Sequence, residues 1–395
     1  MSEWLQWLLD AAAVLVLLPV SVLAVEVLAG VTRSASGAAP AGERVPLAIL
    51  MPAHNEASGI AAVLRALVPQ LINSDRLLVV ADNCTDDTAA IARAAGAEVI
   101  ERQNATLRGK GYALDAGIRH LTAKPPAVVI IVDADCLVAG GTIDLLSRRC
   151  GSSRRPIQAL YLMRNLDGAP VKMRIAEFAW TLKNWVRANG LLHLGLPCQL
   201  AGTGMAFPWS AIASADLATG HIVEDLKLGL DLARAGTPAL FCPEARVTSY
   251  FPASADGARG QRTRWEHGHL GVILSDAPKL IAQALVRFDA DLMGLALDLC
   301  VPPLALLTLL VAALWIASAL VFGFWRAQFA LDLMTLEVAL LGFSVLASWA
   351  KFGRNIISLK SLAFAVVYAI SKIPLYAKFL LARQLHWVRA KRDSD

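Results

Sequence analysis

"AVVIIVDADC", residues Ala127 to Cys136, is the stretch from which the fold can be read. Ala127 to Val132 are apolar without a break, and the run ends on Asp133-Ala134-Asp135. A strand with one wet face alternates apolar and polar residues, whereas an unbroken run fits a parallel strand buried on both faces. Such a strand delivers two carboxylates side by side at its tip. Unpaired, they repel and raise a pKa. A divalent cation removes that cost, and oxygen ligands suit Mg²⁺ or Mn²⁺, which carboxylates and substrate phosphates often hold together. Asp133 and Asp135 are therefore candidate metal ligands, with chance acidity of a solvated loop as the plainer alternative.

Upstream, "LAILM" (Leu47 to Met51) and "LLVVA" (Leu77 to Ala81) are runs of the same kind. Helical patterns lie between the runs, at Ala57 to Leu67 and at Thr88 to Ala95. This alternation predicts an α/β domain, a doubly wound and mostly parallel sheet. Ligands of such sheets sit beyond the carboxyl ends of the strands. After the first strand comes "PAHNEASG", where helix capping alone accounts for Asn55, Glu56 and Ser58. After the second comes "DNCTDDT", where Thr85, Asp86 and Asp87 can cap the next helix but Asp82 and Asn83 lie too early to do so. In "RQNATLRGKGYALDAG" (Arg102 to Gly117), Arg108 and Gly109 precede Lys110 and Gly111 at a helix start. Backbone N–H groups and a lysine can hold phosphate there, although the Walker pattern is absent and a solvated turn serves as well. Glu224 and Asp225 open "EDLKLGLDLARAG", whose Leu226, Leu230 and Ala233 share a helical face. The helix dipole alone favours acidic residues in that first turn.

Of the 395 residues, 56% are hydrophobic and 17% charged, against about 25% charged in soluble proteins. A membrane protein with a soluble part is expected. The net charge of +5 is too modest to argue for nucleic acid, and the six Cys show no metal-site spacing. A first span is expected from about Leu8 to Leu28, with no Lys or Arg before it to make a signal-peptide n-region. Arg33 and Arg44 follow it, so the N-terminus is expected outside and the next residues in the cytosol. Further spans are expected at about Val301 to Phe324 and Phe329 to Trp349. A weaker segment, Ile356 to Leu381, is broken by Lys372, Pro374 and Lys378; it spans or lies in the interface. The organisation read from this is an N-terminal transmembrane helix (1–30), the α/β domain (45–270), interfacial helices (271–300), membrane and interfacial helices (301–382) and a basic tail (383–395).

Just before the second apolar block stands "GARGQRTRWEHGHLG", Gly257 to Gly271, which reads as a loop carrying Gln261, Arg262, Arg264 and Trp265. Arg and Trp suit a headgroup belt. They also suit a site that grips a sugar and a phosphate.

Asn55-Glu56, Asp82, Arg108-Gly109-Lys110, Asp133-x-Asp135, Glu224-Asp225 and Gln261-x-x-Arg264-Trp265 occur in that order. The set resembles the membrane-integrated family 2 glycosyltransferases, the group of cellulose, chitin and hyaluronan synthases, over about residues 45 to 270. The resemblance implies a GT-A fold, a nucleotide-sugar donor, inversion at the anomeric carbon and Mg²⁺ or Mn²⁺ as cofactor. By motif, Asn55, Glu56, Asp82, Lys110, Asp133 and Arg264 would face the donor, with Asp82 on its uracil or ribose side. Asp133 and Asp135 would hold metal and diphosphate. Asp225 would be the general base beside Glu224, in a motif that reads Val223-Glu224-Asp225 where the family has T-E-D. Thr203, in "AGTGMAF", Gln261 and Trp265 would face the acceptor.

The function expected is sugar transfer from a nucleotide sugar, UDP-linked by resemblance, to a growing polysaccharide at the cytosolic face of a bacterial-type inner membrane. Export or assembly partners are compatible with this. The Gln261-x-x-Arg264-Trp265 motif favours a processive synthase, while the small membrane portion leaves transfer to a lipid or lipid-linked acceptor open. A non-catalytic scaffold that only binds nucleotide sugar is a third class, against which the intact set of acids argues. A small-solute transporter does not need so large an α/β domain.

Overall fold

The computed structural model describes residues 2–32, 42–252, 254–325 and 328–381. Arg33 and the basic tail lie outside the described residues. The chain forms two compact units. One comprises the described parts of Met1–Ser34, Asn165–Leu196 and His269–Arg383; the other those of Ala35–Arg164 and Pro197–Gly268.

The second unit is built on an eight-stranded sheet: β1 (Leu47–Ala53), β2 (Arg76–Asp82), β3 (Glu98–Arg102), β4 (Val128–Ile131), β5 (Leu137–Val138), β6 (Ile157–Arg164), β7 (Met205–Pro208) and β8 (Leu240–Tyr250), in the order β3-β2-β1-β4-β7-β6-β8-β5. The three runs read from sequence are β1, β2 and β4, which pair in parallel around β1. Val129, Ile130 and Ile131 of β4 are fully buried. Burial of each such side chain contributes about 1.5–3 kcal/mol relative to exposure. The far half is less regular: β7 runs antiparallel to both β4 and β6, β6 and β8 are parallel, and β5 is antiparallel to β8. The sheet is thus mixed, with a parallel half that carries the expected strand tips.

The helix Lys110–Leu121 packs close on this half. A Cβ at its Gly117 would lie 2.3 Å from Leu50 Cδ1, and one at Gly111 would lie 2.4 Å from the Leu217 carbonyl oxygen. Only glycine permits both approaches, and they fix where Lys110 begins the helix. Residues Ala255–Arg287 form one helix, so the stretch read as a loop is helical. Its glycines and polar run hide the pattern. Gln261, Arg264 and Trp265, spaced i, i+3, i+4, share one face.

The first unit is helical. Gln6–Thr32, Leu304–Gly323, Phe329–Gly353 and Leu359–Leu381 are long and apolar enough to cross a membrane. The last, the weak segment of the sequence, is three short helices, Leu359–Leu362, Ala365–Ile370 and Ile373–Leu381. Val16, Val20 and Leu23 of the first segment pack with Phe178, Leu182, Leu307, Val311, Met334 and Leu341 in one core. Asn165–Leu196 therefore contributes to this unit, although it interrupts the α/β domain in sequence. Gly190 would place a Cβ 1.9 Å from the Glu26 carbonyl oxygen, so two helices meet here backbone to backbone. Beside that contact, Arg187 Nε donates to Glu26 Oε2 at 2.6 Å and its Nη2 to Asp298 Oδ1 at 2.5 Å; all three residues are buried.

Candidate functional site

The tips of β1 and β2 end on residues in left-handed backbone, Asn55 and Asn83, both at φ 53°. The Asn55 side chain accepts from Thr85 N–H at 2.8 Å and donates to Thr85 Oγ1 at 3.1 Å, while Glu56 N–H donates to Thr88 Oγ1 at 2.8 Å. The helix that follows has Gly59 at its N-cap and no side-chain cap, so the capping alternative for Asn55 and Glu56 does not hold. These residues instead join the two strand tips. Asp86, expected as a cap, accepts from Thr88 N–H at 3.1 Å and from Ala57 N–H at 3.0 Å. Asp82 is buried and paired with Arg102, a residue the sequence reading did not single out.

At the tip of β4, Asp133 N–H donates to Thr203 Oγ1 at 3.1 Å. Thr203, expected on the acceptor side, is fully buried and supports Asp133 from below. Its loop is held by Gln158, whose Nε2 donates to Thr203 O at 3.0 Å and whose Oε1 accepts from Ala201 N–H at 2.8 Å. Gly202 and Gly204 flank Thr203 at φ +90° and +64°, a backbone that L side chains rarely adopt.

Lys110 Nζ lies 2.5 Å from Asp133 Oδ1 and donates to Gly202 O at 2.6 Å. A Cβ at Gly202 would lie 3.1 Å from Asp225 Oδ2 and 3.7 Å from Lys110 Nζ. Gly202 thus seats the Asp225 carboxylate against the lysine. Burial opposes the charge on Lys110, but the Asp133, Glu224 and Asp225 carboxylates outweigh it and hold the ammonium above its ordinary range. Burial and the neighbouring Asp225 push Glu224 up to about 7, against the pull of Lys110. Arg264 is lowered by burial, while the carboxylates of Glu224, Asp225, Asp133 and Asp135 act to raise it. Lys110, the four acids and Arg264 therefore form one electrostatic cluster. On the shared helix face, Gln261 Oε1 is buried and accepts no hydrogen bond among the described residues.

Ligand atoms of Asp133, Asp135 and Cys136 lie within 4.8 Å of one another. Desolvation and then the Asp133 carboxylate push Asp135 up. Burial and the same carboxylates hold the Cys136 thiol well above its usual range, with its Sγ 3.3 Å from Asp135 Oδ1. The two carboxylate groups supply the hard oxygen donors here. That set fits a hard divalent cation such as Mg²⁺ or Mn²⁺ better than Zn²⁺.

The mixed sheet, with two carboxylates at a parallel strand tip, has the GT-A fold. The chain belongs to the family described as Glycosyltransferase like family 2, which matches residues 44–268. Over 92 residues it is 33% identical to 4,4'-diaponeurosporenoate glycosyltransferase of Staphylococcus aureus, a stretch covering 22% of this chain and 24% of that protein. The match thus spans about a quarter of those relatives. Mannosyltransferase PcManGT from Pyrobaculum calidifontis, solved with GDP-Man and Mn²⁺, is similar with a TM-score of 0.56 at 16% identity, over 97% of this chain and 100% of that one. Glucosyl-3-phosphoglycerate synthase from Mycobacterium tuberculosis, solved with Mn²⁺ and UDP, is similar with a TM-score of 0.38 at 21% identity, over 57% of this chain and 80% of that one.

Proposed function

We propose that this glycosyltransferase is inverting and metal-dependent, and moves a sugar from a nucleotide sugar to an acceptor at the cytosolic face of a bacterial-type inner membrane. The observation that carries the proposal is Lys110 held between Asp133 and the Gly202 loop, with Asp225 beside it. Asp82, Asn55 and Glu56 take the nucleoside end of the donor. Asp133 and Asp135 would hold Mg²⁺ or Mn²⁺, which supplies positive charge for the diphosphate. Lys110 and Arg264 stabilise the charge that develops on the leaving nucleoside diphosphate. Asp225 takes the proton of the acceptor hydroxyl as its oxygen bonds to the anomeric carbon and the bond from that carbon to phosphate breaks. Glu224 raises the local negative charge and keeps Lys110 protonated. Trp265 offers an apolar face to the acceptor sugar, with Gln261 beside it. Thr203 positions Asp133 by accepting a hydrogen bond from its N–H.

The acceptor is a growing polysaccharide in the reading that the Gln261-x-x-Arg264-Trp265 spacing supports. A second reading, a single transfer to a membrane lipid, is supported by the partial likeness to the diaponeurosporenoate glycosyltransferase. Membranes bearing the protein, incubated with a panel of radiolabelled nucleotide sugars and Mn²⁺, test both. Label in a high-mass product supports the polymer, label in a small organic-soluble product supports the lipid, and no transfer from any donor refutes the proposal.

A further inference from the structure

The pair at the tips of β2 and β3 is built more firmly than an ordinary surface ion pair. The parallel register sets Asp82 directly beside Arg102. Arg102 Nη1 donates to Asp82 Oδ1 at 2.6 Å and Nη2 donates to the Leu107 carbonyl at 2.8 Å. The guanidinium carbon stands 5.6 Å from the centre of the Tyr112 ring. Asn83 N–H donates to Arg102 O at 2.7 Å, and Asn83 Oδ1 accepts from Asn104 N–H at 2.8 Å. The Asp82 and Arg102 side chains are only 8% and 17% exposed. Asp82 Oδ2, by contrast, makes no hydrogen bond among the described residues. The pair lies beyond the carboxyl end of β2, where ligands of such sheets bind.

We propose that Arg102 is the specificity-determining residue for the donor's base, and that it selects uridine over guanosine. This rests on the placement of Asp82 at the nucleoside end of the donor. Arg102 takes one oxygen of the Asp82 carboxylate, leaving a single acceptor flanked by a cationic donor. Uracil presents one N–H, at N3, between two carbonyl oxygens. A lone acceptor beside a donor complements that edge. Guanine presents two adjacent donors, N1–H and the N2 amino group, which need both oxygens of a free carboxylate. Arg102 denies it the second oxygen, and a buried donor left unpaired weakens binding. Arg102 also fixes which oxygen is free, so an amide at position 82 would keep Oδ1 on the arginine and aim its NH₂ at the base.

The test measures binding of UDP, CDP, GDP and inorganic pyrophosphate to the full-length protein in detergent with Mn²⁺. The wild type is expected to favour UDP over GDP. Arg102→Met should lower the UDP:GDP affinity ratio by about tenfold or more, the worth of one charged hydrogen bond, with pyrophosphate binding unchanged. Arg102→Lys should restore part of the ratio. Asp82→Asn, which keeps the arginine partner, should move preference from UDP toward CDP, whose N3 is an acceptor. An unchanged ratio in Arg102→Met, equal weakening of all ligands including pyrophosphate, or a wild type that prefers GDP overturns the inference. Should Arg102→Met not fold, the UDP:CDP ratio of Asp82→Asn decides: no shift overturns it. A wild type that binds none of the four ligands fails the functional proposal itself.

Discussion

Lys110 Nζ stands 2.5 Å from Asp133 Oδ1 and 2.6 Å from the Gly202 carbonyl oxygen, so one ammonium ties the tip of β4 to the Gly202 loop. The lysine reaches this point because Gly111 and Gly117 let its helix press onto the Leu217 loop and onto β1. A cation fixed there serves the diphosphate of a donor. Lys110→Met should raise the KM for the nucleotide sugar by about tenfold to a hundredfold, the equivalent of ~1.5–3 kcal/mol for one charged hydrogen bond. Steady-state kinetics check this; an unchanged KM would detach Lys110 from the donor.

Thr203 supports Asp133 through a buried hydroxyl. Thr203→Val keeps the shape and leaves the Asp133 N–H without its partner, at a cost of about 1–3 kcal/mol. Thermal melting should show that loss, and Mn²⁺ titration should show weaker binding at the Asp133–Asp135 pair. Unaltered Mn²⁺ affinity would mean that the strand tip holds its own geometry.

Burial, and then the neighbouring Asp225 carboxylate, push Glu224 up from its ordinary 4.5 to about 7. The folded protein therefore holds this proton more tightly than the unfolded chain does. The corresponding stability is fully present below pH 4.5 and is lost as pH rises through about 7. Glu224→Gln has no such loss. Melted in EDTA, the variant should gain on the wild type between pH 4.5 and 7 and hold a constant advantage above that. A difference independent of pH would contradict the assignment.

Arg187 lies buried between Glu26 and Asp298. Arg187→Met leaves two carboxylates facing each other without a cation, which costs about 3–5 kcal/mol. The variant should melt at lower temperature or accumulate poorly. Wild-type stability would show that water reaches these acids.

The strands β1, β2 and β4 were legible because a parallel strand buried on both faces needs an unbroken apolar run. Motifs placed by those strands, Asp82 and Asp133 among them, were legible with them. The antiparallel insertion of β7 was not, since four residues, Met205–Pro208, carry too short a pattern. That Phe178 and Leu182, within Asn165–Leu196, pack with the first apolar segment is a long-range fact no local pattern encodes. Arg102 escaped for the same reason, because its partnership with Asp82 depends on strand register. Thr203 was placed on the acceptor side by resemblance; its burial and its hydrogen bond from the Asp133 N–H are long-range facts that no local pattern encodes.

The central claim is base-assisted sugar transfer, and Asp225→Asn tests it most directly. Asn preserves shape and leaves Asp82, Lys110, Asp133 and Asp135 in place, so donor binding and melting temperature should stay close to wild type. Turnover with the labelled nucleotide sugar identified for the wild type should fall roughly 10²–10⁴-fold, the usual worth of a general base. Turnover within a few-fold of wild type, with donor binding intact, would remove Asp225 from the reaction and contradict the account.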